Sequence, residues 1–441
     1  MACSMLSLNY KPLKMKRYDK YKESGIPWIG NIPEHWEVKS LKQIASCNDE
    51  TLTELTPVDQ IIRYVEISDV NAVEGITNVV EYPFGLAPSR ARRKTKINDV
   101  IVSTVRTYLR AVARVTESDL IVSTGFAVLR AKGYIDSLFL AYVIQSSDFI
   151  DEVIANSSGI NYPAITANKL TSLILPIPPL SEQEAIVAYL EEKVAKMDSL
   201  VAKQEAQIAY LRELKQAIIA RAVTQGLDPH APLRPSGIPW IGAIPKHWKV
   251  QRLGRCFGEN RALNSDLECT EAYKFNYGSL IRKDENLNPQ ELVDTYMKYT
   301  LLRENDIVIN GLNLNYDFVS QRVAIATQKG IITSAYLILS PRKGINHNYY
   351  CLLFKAMDSM RLFHGMGSGI RLTLSYKDLK NQWLPFPPPS EQEAIVTHIN
   401  RKTEEIDRLI AMTEQEIARV RELKQTLIAD VVTGRINVQP T

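Results

Sequence analysis

Pro176–Val187 reads PIPPLSEQEAIV and Pro385–Val396 reads PFPPPSEQEAIV, so 10 of 12 positions agree at an offset of 209 residues. Each leads into a stretch without Gly or Pro, Ser181 to Thr224 and Ser390 to Thr433, 44 residues in either copy. Serine followed by Glu, Gln and Glu just past a proline run offers an N-cap, a carboxylate at the third helical position and acidic charge in the first turn, which predicts a helix starting at each serine. At 3.5-residue spacing the first seam is Val187, Leu190, Val194, Met197, Val201, Gln204, Ile208, Leu211, Lys215, Ile218 and Ala222. The second is Val396, Ile399, Thr403, Ile406, Ile410, Thr413, Ile417, Val420, Lys424, Leu427 and Val431. Nearly six heptads in each copy predict a coiled coil, closed by Gly226 and Gly434. Gln204 matches Thr413 and Lys215 matches Lys424, polar seam residues that fix register at a cost in stability. Two helices in halves related by a perpendicular pseudo-two-fold run antiparallel, with Gln204 near Thr413. At ~1.5 Å per residue each is about 65 Å long, a stiff spacer between two globular units.

The doubling extends outward from these helices. Ser24–Trp36, SGIPWIGNIPEHW, returns as Ser236–Trp248, SGIPWIGAIPKHW, with 11 of 13 positions identical 212 residues apart. A duplicated unit of this length is not a solenoid period of ~20–50 residues; it makes two similar halves. The 441 residues suffice for two or three domains. Hydrophobic and charged fractions of 45% and 23% are those of an ordinary soluble protein, and no apolar run reaches the ~18 residues of a bilayer span. The opening residues carry Lys11, Lys14, Lys16, Arg17, Lys20 and Lys22 without an apolar core, which predicts a flexible basic arm rather than a signal peptide. Cys3, Cys47, Cys256, Cys269 and Cys351 are scattered and form no CxxC pair, so neither a disulfide framework nor a zinc site is expected; a reducing, cytoplasmic location follows. A net charge of only +4 leaves local patches as the place to seek nucleic-acid contacts.

Between leaders and helices lie two blocks, 37–175 and 249–384, that predict an α+β fold. Short β-rich runs (61–67, 100–105, 120–129; then 307–310 and 331–339) precede one helical stretch in each, near 137–154 and 349–363. Shared anchors remain. INDVIVS from Ile97 answers ENDIVIN from Glu304, IVSTGFAVL from Ile121 answers IITSAYLIL from Ile331, and SSGI from Ser157 answers GSGI from Gly367. Between the anchors the copies diverge.

Duplicated PxPPxxEQ leaders on long helices, alternating with divergent α+β blocks and prefaced by WIGxIPxHW, resemble the specificity subunit of type I restriction-modification systems. The likeness covers essentially the whole chain. It implies two target recognition domains, each reading one half of a split DNA sequence, and an antiparallel coiled coil that acts as a ruler and binds modification subunits. It also implies no catalysis in this chain. The divisions expected are a basic arm (1–23), a first recognition domain with its leader (24–175), the first helix (176–226), a linker and repeated leader (227–248), a second recognition domain (249–384), the second helix (385–434) and a tail (435–441). Double-stranded DNA, two modification subunits and restriction subunits are the implied partners, with no membrane. S-adenosylmethionine, Mg²⁺ and ATP are expected in those partners and no cofactor in this chain. At ~3.4 Å per base pair a 65 Å ruler covers roughly 19 base pairs, enough for two short half-sites and a spacer.

Similar scaffolds with different loops are what two readers of different half-sites require. The densest basic run is Arg90, Arg92, Arg93, Lys94 and Lys96 in PSRARRKTK, placed just before a predicted strand. A solvated loop is the plain account; in a DNA reader such a run binds phosphate, and Arg can also fork onto guanine. After INDVIVS comes TVRTYLRAVAR, with Arg106, Tyr108 and Arg110; the second copy has GLNLNYDFVSQR there, with Asn313, Asn315, Tyr316, Gln321 and Arg322. Arg suits guanine and Asn or Gln suits adenine, so these segments are the best candidates for differing base choice, against a plain polar hairpin. A third segment pairs Ser157, Ser158, Asn161 and Tyr162 with Gly367, Ser368 and Arg371, as a phosphate-contacting or purely structural turn. Trp28, Trp36, Trp240 and Trp248, with His35 and His247, read as local packing, with subunit docking as the rival account. Ile186, Leu200, Leu214 and Ile395 fall outside the seam and suggest cover by partner subunits.

No GxxxxGK[ST] loop occurs, and GMGSGIR lacks the phosphate-reaching lysine. No NPPY-like segment and no glycine-rich loop after a strand points to methyl transfer. Two rival readings stand beside the specificity subunit: a stand-alone site-specific endonuclease or methyltransferase with an unrecognised active site, and a protein-docking adaptor that never meets DNA.

Overall fold

Both proline-led segments become single long helices, Leu180–Gln225 and Pro389–Val432, in the computed structural model, which describes residues 16–283, 289–315, 321–369 and 372–439. Each starts one residue before its serine, so the serine is not the N-cap. Proline carbonyls serve instead: Pro179 O accepts from Glu182 N (2.9 Å) and Gln183 N (3.0 Å), and Pro388 O from Glu391 N and Gln392 N (both 3.0 Å). Pro389, in the first helical position, has no N–H to leave unpaired. The buried glutamine of each SEQ then folds back, Gln183 Nε2 donating to Pro178 O and Gln392 Nε2 to Pro387 O, both at 2.9 Å. The motif locks the proline run onto the helix it opens.

The chain divides into two units, Met1–Lys203 with Gln415–Thr441, and Gln204–Glu414. Each contains part of both long helices. In the first unit Ile186, Val187 and Leu190 share a core with Ile428, Val431 and Val432, and Lys424 Nζ reaches both carboxylate oxygens of Asp198 at 2.7 and 2.9 Å. In the second, Ala222 and Val223 share a core with Ile395 and Ile399, Lys215 Nζ reaches both oxygens of Asp407 at 2.7 Å, and Arg212 pairs with Glu414 at 3.1 Å. Rising numbers on one helix meet falling numbers on the other, so the pairing within each unit is antiparallel. Every seam position is buried or half-buried. Lys215 and Lys424 owe their tolerance in the seam to these equivalent ion pairs, which specify register. A double-mutant cycle on Lys424→Met and Asp198→Asn is expected to give a coupling of about 0.5–1 kcal/mol in urea unfolding, shrinking with salt. A coupling of zero would remove the pair as a register device.

Ile186 and Ile395, expected to await a partner, are instead fully buried in the cores of their own units. The α+β block and leader of each unit cover that face. Each leader packs where the start of one helix meets the end of the other, so local packing is what its aromatics do. Trp36 and Trp248 are buried, His35 Nε2 lies 2.8 Å from Glu182 Oε2, and His247 Nε2 lies 2.8 Å from Glu391 Oε2. Trp248 Nε1 also donates to Glu391 Oε2 at 2.9 Å. Of the expected basic arm, residues 1–15 lie outside the described residues; in the rest, Tyr21–Glu23 is a strand paired with Asn31–Pro33, and the Tyr18 hydroxyl donates to Glu182.

Gly226 and Gly434 end the helices at φ 76°, the left-handed closure that glycine makes without strain. A Cβ on Gly226 would stand 2.9 Å from Glu391 Oε1 and 3.3 Å from Trp248. Gly242, at φ 73°, has nothing within 4 Å of that position. Alanine in a left-handed backbone costs roughly 1–2 kcal/mol, so both Gly→Ala changes should lower the unfolding free energy by about that much, Gly226→Ala by more. Chemical denaturation of the two variants checks the order.

The two α+β blocks each hold a four-stranded antiparallel sheet of the same strand order. In the first unit the strand order is Val112–Arg114, Val100–Ser103, Phe126–Ala131, Ala45–Cys47; in the second it is Val323–Ile325, Ile307–Ile309, Leu337–Pro341, Phe257–Glu259. The run 120–129, expected as one strand, is two, Leu120–Ser123 and Phe126–Ala131, broken at Thr124–Gly125. The helical stretch 137–154 is likewise two helices, Ser137–Gln145 and Ser147–Ala155, because Ser146 turns out of the first and caps the second, accepting from Phe149 N. Away from the shared sheet the copies part. The first unit has a second four-stranded sheet, Val80–Pro83, Ile61–Val65, Leu120–Ser123 and Ala91–Lys94, where the second has two separate pairs, Thr300–Leu302 with Gly330–Ile332 and Tyr273–Asn276 with Ser279–Arg282.

Candidate nucleic-acid interface

In the first unit two of the segments singled out in sequence are bound together. The loop after Val100–Ser103 meets the turn 157–164: Ile165 N donates to Thr104 O (2.9 Å), Thr107 N to Pro163 O (3.4 Å), and the turn is closed by Ser158 N to Ala164 O and Ala164 N to Ser158 O, both 2.9 Å. Thr107 Oγ1 donates to Ser157 Oγ at 2.8 Å. Arg106 and Arg110 flank a 3₁₀ turn at φ 51° and 55°, a conformation unfavourable for arginine that local context must hold. The Arg106 guanidinium lies over the Tyr162 ring, 5.0 Å from its centroid, and Arg110 is ion-paired with Asp151 of the neighbouring helix. Tyr108 and Tyr162 are 51% and 64% exposed, and Asn161 is exposed beside them. The result is a small outward platform of cations and rings, the chemistry that contacts phosphates and base edges. Sequence reading passed over Leu109 and Ile160, which share this exposed loop pair; an isoleucine inside the polar turn SSGINYP was the available signal.

The second unit repeats the backbone hydrogen bonds of this frame, though Leu314 and Gly367 leave no counterpart to the Thr107–Ser157 bond. Leu374 N donates to Gly311 O (2.9 Å), Leu314 N to Leu372 O (3.2 Å), and Ser368 and Thr373 exchange hydrogen bonds at 3.2 and 3.0 Å. Asn313, at φ 50°, stands where Arg106 stands in the first copy. Gln321 is exposed and Asn315 half-buried. Tyr316 and Arg371 lie outside the described residues. Arg322 is corrected: its side chain is only 1% exposed, and its Nη1 donates to Asn310 O (3.0 Å) and Leu312 O (2.8 Å). It holds the loop 310–313 in shape from beneath and cannot meet a base from there.

The basic run precedes the strand Val100–Ser103 as expected, and is not a loop: Ala91–Lys94 is itself a strand, at the edge of the first unit's second sheet. Alternation divides its charges. Arg92 lies over Phe84, 4.7 Å from the ring centroid, and pairs with Glu54 at 3.5 Å; Arg93 is half-buried; Lys96 is 2.8 Å from Glu50. Hydrogen bonds from Lys96 and Arg130 hold the Glu50 carboxyl below the usual carboxylate range. Arg90 and Lys94 are exposed. Arg90 alone abuts the platform, since its carbonyl accepts from Thr124 N (2.8 Å) and the adjacent Gly125 carbonyl accepts from Thr104 N (2.8 Å). So the structure brings Arg90, Arg106, Tyr108, Arg110, Asn161 and Tyr162 to one end of the block and leads Lys94 away from it. Among the described residues no group of His, Cys, Asp or Glu is arranged to hold a metal ion, and no helix is long and apolar enough to cross a membrane.

Residues 33–210 match the family model described as the type I restriction modification DNA specificity domain. The chain is 24% identical over 427 residues to the putative type I restriction enzyme MjaX specificity subunit of Methanocaldococcus jannaschii, covering 93% of this chain and 96% of that one. It is 24% identical over 327 residues to the type I restriction enzyme EcoKI specificity subunit of Escherichia coli K12, covering 71% and 68%. Among solved structures it shares its fold with a chain from work on complex assembly and conformational transition of the type I R-M system, with a TM-score of 0.66 and 22% identity across 91% of this chain and 98% of that one. The two full-length likenesses reach the second copy, beyond the residues that the family model matches.

Proposed function

We propose that this chain, which is similar to type I restriction-modification DNA specificity subunits over residues 33–210 and to a full-length relative beyond them, is such a subunit and reads an asymmetric, split DNA sequence, with one unit addressed to each half-site. The observation that supports this best is the repeated hydrogen-bonded frame carrying different side chains, Arg106 on one and Asn313 on the other. An arginine fork matches the O6 and N7 acceptors of guanine, and an asparagine amide matches N6 and N7 of adenine. One frame therefore presents two base preferences without a change of backbone.

In this reading the chain is enzymatically silent. Methyl transfer from S-adenosylmethionine belongs to two modification subunits, and cleavage with Mg²⁺ and ATP to restriction subunits, all organised on this scaffold. Mapping methylated adenines in DNA exposed to the assembled methyltransferase is expected to return one split, asymmetric motif, bound with an affinity that falls steeply as salt rises. An uninterrupted motif, or equal affinity for unrelated duplexes, overturns the reading. The purified chain alone, given DNA, Mg²⁺, ATP and methyl donor, should neither cleave nor methylate; either activity would favour a stand-alone enzyme.

A further inference from the structure

The units differ most in the connection that follows the strand beside the second sheet. In the first unit the chain leaves Ile61–Val65 and returns at Val80–Pro83 after a long excursion. In the second, Tyr273–Asn276 and Ser279–Arg282 are joined by two residues only, Tyr277 and Gly278. Both have positive φ, 40° and 78°, as the tight two-residue hairpin turns demand. Gly278 suits its place. Tyr277 does not: at the first central position Asn, Asp or Gly is the low-strain choice, and a tyrosine in the left-handed region is held at a cost of ~1–2 kcal/mol relative to glycine.

Nothing in the core asks for that tyrosine. The inward residues Tyr273, Phe275 and Leu280 pack against Leu302, Val308 and Ile338, whereas Tyr277 is 73% exposed at the tip. The tip lies against the reading loop, since a Cβ on Gly278 would fall 2.7 Å from Oε1 of Gln321. Lys274, Asn276 and Ser279 face outward along the same ribbon. Strain at an exposed side chain, next to a segment already assigned to base reading and absent from the other copy, marks a residue kept for what it touches.

We propose that the hairpin Tyr273–Arg282 enters the major groove at the second half-site and that Tyr277 is a specificity-determining residue there, reading a base edge beside Gln321. This rests on the assignment of one unit to each half-site. A two-stranded ribbon fits the major groove, and its tip reaches the base edges first.

The test uses the assembled methyltransferase carrying Tyr277→Asn or Tyr277→Gly and a panel of duplexes with every single base-pair change in the mapped site. Because the turn prefers the new residues, the variants should unfold at equal or higher denaturant than the unsubstituted protein. Affinity for the full site should fall roughly tenfold, with discrimination flattened at one or two adjacent base pairs of the second half-site. Discrimination in the first half-site and the salt dependence should stay as they were. Loss of stability in both variants would make Tyr277 structural, and undiminished discrimination, or a uniform loss with a shallower salt slope, would make it no base reader; each overturns the inference alone. If the unsubstituted complex shows no second half-site, the underlying assignment has failed instead.

Discussion

Trp36→Ala is expected to lower the stability of the first unit by about 3–5 kcal/mol, the range for deleting a buried Trp side chain, against a total of about 5–15 kcal/mol for a domain. Trp36 is wholly inaccessible and shares a core with Ile32, Ile186, Leu190, Val431 and Val432. Its removal opens a void where leader and both long helices meet. Trp248 is the same residue in the other copy, but Trp248 Nε1 donates to Glu391, whereas Trp36 Nε1 is buried with no hydrogen-bond partner among the described residues. The two Trp→Phe variants should therefore separate: Trp36→Phe loses volume only, and Trp248→Phe also loses a bond to a carboxylate, worth about 1.5–3 kcal/mol. Urea unfolding followed by tryptophan fluorescence reads both. Equal costs for the two Phe variants would show that the Glu391 contact adds nothing.

How much of this could be read from residues alone follows the range of the forces involved. The long helices, their seams and their terminal glycines were legible because helix periodicity and left-handed closure are local, and because each appears twice. The one-residue error at the helix starts came from favouring a serine cap where proline carbonyls and a buried glutamine do the work. The strand within the basic run is not legible because Arg and Lys carry no period-2 apolar signal, so a strand with charge on both faces looks like a loop. Arg322 was misread for the opposite reason: burial of its guanidinium depends on the carbonyls of Asn310 and Leu312 curling around it, which no local pattern announces. The frame joining 104–107 to 157–165 is long-range in sequence and was visible only as two separate candidates. The equivalence of Arg106 and Asn313 was nevertheless within reach, since INDVIVS and ENDIVIN place both at the same distance from a shared anchor.

That equivalence supplies the sharpest separation of reading from scaffolding. Arg106→Ala in the assembled complex should weaken binding to the full site by about 5- to 150-fold, the ~1–3 kcal/mol of one bidentate base contact, and relax discrimination at a single base pair of the first half-site. Its cost to folding should be small, since the loss within the free chain is an exposed cation–ring contact of about 0.5–1 kcal/mol with Tyr162. Arg322→Met should blunt the second half-site too, yet by another route. It strips hydrogen bonds from buried carbonyls, each worth about 1–3 kcal/mol when left unpaired, so recognition and stability should fall together. Measured side by side by duplex competition and denaturant unfolding, the two variants should look alike toward DNA and unlike toward urea. If Arg106→Ala instead lowered affinity equally for cognate and scrambled duplexes, Arg106 would hold phosphate, and the difference between Arg106 and Asn313 could no longer explain two distinct half-sites.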